Sequence, residues 1–247
     1  MNPENIIPRL LELNVDLPYV RPMLARRRVI RVEVGKESMR CGGTSAVKAI
    51  VEGLNAKGIS ASASYEEWEG NPHLQASYLD DPQAFLESQK WFAKRKWEQI
   101  KEARESSEPV EGVCVVVQDV HPEGDFAYAV TRAMLGQMSN RNLREYAEFF
   151  RGLGWELSPF PDLLVYLTAD DKTLVERAEA SRRPFETFDD HYILTMKKVN
   201  RAWLVGAEKH HGERILRIDT NRMDFAHDKA AKQALVRMVG GRLQKGE

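Results

Sequence analysis

Residues 32–49 read VEVGKESMRCGGTSAVKA. The β-branched run Val29–Val34 stops at Gly35, two more glycines follow at Gly42 and Gly43, and a helix-forming segment begins at Thr44. A strand, a glycine turn and a helix start, in that order, aim backbone N–H groups at an anion. A hydroxyl at the helix start, here Thr44 or Ser45, suits Mg²⁺. A phosphate loop of this kind carries lysine just before that hydroxyl, and this chain has Gly43 there. Lys36 or Arg40 could fold back to supply the missing charge. The competing reading is a glycine-rich turn capped by Thr44 or Ser45.

Working outward, four further β-branched runs stand out: Gly58–Ala63, Gly112–Gln118, Leu163–Leu167 and Arg214–Ile218. Helical patterns lie between and after the five runs, over Thr44–Leu54, Pro82–Ser106, Phe126–Gly154, Lys172–Glu208 with an interruption near Pro184, and His227–Leu243. Such alternation predicts an α/β fold, a three-layer sandwich of five parallel strands with helices on both faces. Ligands of these sheets bind beyond the carboxyl ends of the strands. Residues 1–28 precede the first strand and read as an N-terminal extension on a single domain, residues 29–247.

Composition narrows the function. A formal net charge of −1 over 247 residues gives no general reason to expect a nucleic-acid or membrane partner. No stretch reaches the length of a membrane span. The start MNPENIIPRLLEL lacks the basic and apolar regions of a signal peptide, so a cytoplasmic protein is expected. Two cysteines are too few for a disulfide framework. Cys114 reads as a small core residue, and Cys41, in the loop, as an exposed one.

The segments after the strands hold the candidate chemistry. Glu66 or Glu67 follows the second strand and can take a proton from a hydroxyl. Gln89 lies among Phe85, Trp91 and Phe92, where an amide edge between rings suits a flat heterocycle. Asp119 ends the third strand and can hold Mg²⁺ through water; Asp125 opens the next helix. Arg177, Arg182 and Arg183 crowd near Pro184, where guanidinium groups can close over phosphates.

Taken in order, NPHL with Tyr78 and Gln89, then VVQD, then PDLLVYL, then Arg177 spaced from Glu186, then RILRIDTNRMDF, resemble the bacterial deoxynucleoside kinases over residues 29–240. The resemblance implies ATP-dependent phosphoryl transfer to the 5′-hydroxyl of a deoxynucleoside, with Mg²⁺, in a homodimer packed through the long helices after strands two and three. By position it makes Glu66 the catalytic base, Tyr78 and Glu186 partners of the sugar 3′-hydroxyl, and Gln89, Lys96 and Asp125 readers of the base. Gly42, Gly43, Thr44 and Ser45, with Lys36 or Arg40, would hold the ATP phosphates. Thr44 and Asp119 would serve the metal, and Arg182 and Arg183 the lid. The phosphate side departs from the family pattern. Gly43 replaces the loop lysine, Val120 replaces an arginine, and Ser181 replaces the first lid arginine. These losses raise an alternative, a catalytically impaired homologue that acts as a nucleoside-binding or scaffold protein.

Overall fold

The computed structural model describes residues 29–79, 81–105, 114–119, 121–154 and 160–244. The expected extension over residues 1–28 lies outside these, as do Val120 and the start of the expected third strand at 112 and 113.

Five strands form one sheet: β1 (Val29–Lys36), β2 (Ser60–Ser64), β3 (Cys114–Asp119), β4 (Leu163–Thr168) and β5 (Ile215–Asp219). Their spatial order is β2-β3-β1-β4-β5, and every pairing is parallel. β1 is central, with Val34 opposite Asp119 of β3 on one side and Val165 of β4 on the other. This register brings the carboxyl ends of β1 and β3 together, so Lys36 and Asp119 leave the sheet side by side.

The described helices are α1 (Gly43–Asn55), α2 (Pro82–Glu105), α3 (Pro122–Met134), α4 (Asn140–Gly152), α5 (Asp171–Ala180), α6 (Asp190–His211) and α7 (Lys229–Gln244). One apolar cluster joins β1, β3 and β4 to α1 and α7 through Val32, Val34, Ile50, Val117, Val165 and Leu235. A second joins α2, α3 and α4 through Leu86, Ile100, Phe126, Tyr146 and Phe150. Helix α1 meets α7 so closely that a Cβ on Gly53 would lie 2.2 Å from a methyl of Val236.

The single helix expected over Phe126–Gly154 is two helices. Gly136 takes a left-handed φ of 74°, which stops α3, and Ser139 starts α4 by accepting a hydrogen bond from the Asn142 N–H. A glycine stop followed by a serine cap ends one helix and begins the next whatever the apolar period. The interruption near Pro184 is a nine-residue connection, residues 181–189, closed by Asp189 capping α6.

Candidate active site

The loop after β1 is held from below. Ser38 donates its hydroxyl proton to the Ile193 carbonyl at 3.0 Å, and the Asn200 amide donates to the Glu37 carbonyl at 3.1 Å. Both partners belong to α6. Two residues then take left-handed backbone angles, Arg40 at φ 65° and Gly42 at φ 91°. Gly42 caps α1 without any side-chain hydrogen bond. The first N–H groups of α1 are therefore left for another acceptor, and the positive end of the helix faces outward. Neither Thr44 nor Ser45 acts as the cap, which removes the competing reading of this turn. Cys41, expected to be exposed, is fully buried, and burial pushes its thiol up to about 11.

Thr44 instead donates its hydroxyl to Asp119 Oδ2 at 2.8 Å, while Lys36 Nζ lies 3.3 Å from Asp119 Oδ1. Burial alone would raise the Asp119 carboxyl; Lys36 and the Thr44 hydrogen bond overcome it and hold the group below its usual range. Burial likewise acts to lower Lys36, but Asp119 and then Glu66 outweigh it and keep the ammonium charged above its ordinary range. Amine, hydroxyl and carboxylate thus form one group beside the start of α1.

A cavity of about 1000 Å³ opens over this group. On the loop side it is lined by Lys36, Arg40, Gly42, Gly43, Thr44 and Ser45, with Asp119 beneath. Glu66, Tyr78, Gln89, Asp125, Arg183 and Glu186 line it as well. Two expected residues do not line it. Lys96 is buried, with its amine donating to the Asp119 carbonyl at 2.9 Å and 4.0 Å from Asp125. Arg182 is exposed, and its guanidinium lies 5.2 Å over the Phe188 ring.

The two adjacent glutamates part ways. Glu67 is bound on both oxygens by Arg95 of α2, at 2.8 Å each, and that pairing holds its carboxyl below the usual range. Glu66 keeps to the Lys36 side, where its charge acts on Lys36, Asp125 and Tyr128. Of the lining residues, Gln89 Oε1 and Asp125 Oδ2 are buried with no hydrogen-bond partner. Buried acceptors left unpaired are costly unless a ligand satisfies them. Burial, opposed by Lys96, pushes Asp125 up to about 7.

The connection between α5 and α6 contributes Ser181, Arg183 and Glu186 to the lining and packs on Tyr78 and Trp68. Phe185 packs 5.7 Å from the Tyr78 ring and 6.4 Å from Trp68, and Thr187 donates its hydroxyl to the Tyr78 carbonyl at 2.8 Å. Glu186 accepts from the Arg183 backbone N–H at 2.9 Å and from the Arg40 guanidinium. The phosphate-side loop and the lid are thereby bridged by one ion pair.

Sequence reasoning passed over Arg132. It is buried, lines the cavity, and lies 4.7 Å over Phe85, 5.3 Å over Tyr192 and 5.7 Å over Tyr78. Its signal was present: Asp125, Tyr128 and Arg132 are spaced three and four apart and share one helix face. Arg177 also lines the cavity, but both its terminal nitrogens are engaged by Thr220 at 2.9 Å.

A family model of the deoxynucleoside kinases matches residues 41–243, from the phosphate-side loop to the end of α7. The chain belongs to the deoxynucleoside kinase family. Two solved structures of a deoxyadenosine kinase from M. mycoides share its fold, one with the products dCMP and a flexible dCDP bound, the other with dATP bound. Each aligns with a TM-score of 0.66 over 87% of this chain and 100% of the other, at 16% and 15% identity respectively. No curated protein matches the sequence. Membership makes this deoxynucleoside kinase a transferase with a nucleoside as acceptor and a nucleotide as phosphate donor. Among the described residues, no helix is long and apolar enough to cross a membrane.

Proposed function

We propose that this kinase moves the γ-phosphoryl group of ATP to the 5′-hydroxyl of a deoxynucleoside, as part of nucleotide salvage in the cytoplasm. The observation that carries this reading is one cavity lined both by a helix start without a side-chain cap and by buried acceptors without hydrogen-bond partners. In this reading the base lies against Gln89 and Asp125, and the sugar between Tyr78 and Glu186. Glu66 takes the proton of the 5′-hydroxyl as its oxygen bonds to the γ-phosphorus. The bond to the β,γ-bridging oxygen breaks, and its electron pair leaves with ADP. Such transfers depend on positioning and on stabilising spread negative charge more than on covalent help from the protein.

Among the described residues, no three His, Cys, Asp or Glu side chains are arranged to hold a metal ion. That suits Mg²⁺ in a nucleotide site, which takes one or two protein oxygens and completes its shell with phosphates and water. Thr44 and Asp119, already joined at 2.8 Å, are the residues that would hold it. Its chemistry there is to neutralise phosphate charge. No feature of the site favours a catalytically impaired protein. A homodimer belongs to the same proposal, and light scattering tests it.

The direct test measures ADP release from Mg·ATP with each of the four deoxynucleosides. Turnover is expected with at least one. Glu66→Gln is expected to lower kcat by about 10²–10⁴-fold while the deoxynucleoside still binds. No turnover with any acceptor, or full activity in Glu66→Gln, would overturn the assignment.

A further inference from the structure

We propose that Lys36, the last residue of β1, supplies the ammonium that a phosphate loop ordinarily draws from the residue before its Thr hydroxyl, and that Gly43 is glycine because Lys36 fills its side-chain space. The inference deepens the kinase reading and rests on it.

Three observations carry it. A Cβ built on Gly43 would lie 3.2 Å from Lys36 Nζ and 2.9 Å from Asp119 Oδ1. A side chain at 43 and the Lys36 amine therefore compete for one place. That place adjoins the uncapped start of α1 and the Thr44 hydroxyl, where phosphate oxygens would be received. Second, Lys36 lines the cavity and retains 17% side-chain exposure, so its charge is reachable from the ligand side. Third, the neighbouring cations are committed elsewhere. Arg40 is bound to Glu186, Arg183 lies 3.8 Å over Trp68 and pairs with Glu186, and Arg177 is spent on Thr220. Lys36 pairs with Asp119, which also takes the Thr44 hydroxyl. A strand residue thus replaces a loop residue in space but not in chain order. An ammonium acts on phosphate as a point charge, so its place matters more than the backbone that carries it.

The test compares the wild type, Lys36→Met, and the double variant Lys36→Ala/Gly43→Lys. Each is titrated calorimetrically with Mg·ATP and, separately, with the deoxynucleoside that the wild type uses, or with all four if it uses none. Lys36→Met is expected to lose about 10- to 100-fold in Mg·ATP affinity, with the deoxynucleoside still bound. The double variant returns an ammonium to the vacated space and is expected to recover most of that loss. Unchanged Mg·ATP binding in Lys36→Met would overturn the proposal. So would equal loss of both ligands, which marks a purely structural lysine. If Lys36→Met does not fold, the double variant decides: recovery of fold and Mg·ATP binding supports the swap, and failure of either overturns it. Should the wild type bind Mg·ATP through Lys36 yet phosphorylate none of the four, the kinase reading fails while the assignment of Lys36 stands.

Discussion

Asp125 holds its proton up to about 7 because burial outweighs the attraction of Lys96. Near neutral pH its carboxyl can therefore donate or accept at a base edge. The linkage has a definite sign. An unfolded aspartate titrates near ~3.9, so between about 4 and about 7 the native state binds the extra proton. The associated stability is complete below the lower value and is lost as pH rises through the upper one. Urea unfolding of the wild type minus that of Asp125→Asn should slope downward with pH from about 5 to about 7 and then level off. A flat difference would mean that Asp125 ionises normally. At this scale the sequence was legible as to which residues line the cavity where they stand at a fixed distance from a marked segment: Glu66, Tyr78 and Gln89 all key to the Asn71-Pro72-His73-Leu74 run and all line it. It was illegible where the neighbour comes from another strand or helix. The order of residues offers Lys36 or Arg40 for the charge missing at Gly43 without choosing between them, and nothing in it says that Arg132 slides among three rings.

The elements were read more easily, because alternation of β-branched runs with amphipathic stretches leaves few sheets to choose from. All five strands fall within a few residues of expectation. The failure was the split between α3 and α4, where the apolar period runs on and only Gly136 and Ser139 mark the break. That break yields a clean prediction. Nothing lies within 4 Å of a Cβ built on Gly136, so substitution there meets no steric contact, only the left-handed backbone. Gly136→Ala should cost about 1–2 kcal/mol in chemical denaturation, and Gly136→Asn less, since asparagine tolerates that region better. Equal stability of all three would show that the turn can adopt another conformation at no cost.

For the molecule as a whole, the Arg40–Glu186 pair matters because it links the loop after β1 to the connection between α5 and α6. Each ligand at about 100 times its Kd should stabilise the fold by about 2.7 kcal/mol. Independent sites would simply add. Because this pair already ties the loop after β1 to the lid, a ligand that steadies either side is expected to steady the other, so both ligands together should exceed the sum by about 1–3 kcal/mol. Thermal and urea unfolding with each ligand and with both would measure the excess, and Arg40→Ala should abolish it. Strict additivity in the wild type would sink the coupling. The contact of Gly53 with Val236 adds a constraint of another kind. Helix α1 is made early, but the surface that backs it comes from α7, near the end of the chain. As the protein emerges from the ribosome, α1 waits for residue 236 before its backing contact can form. A chain truncated before α7 would lack the packing that backs α1, and is expected to bind nucleotide more weakly than the full chain.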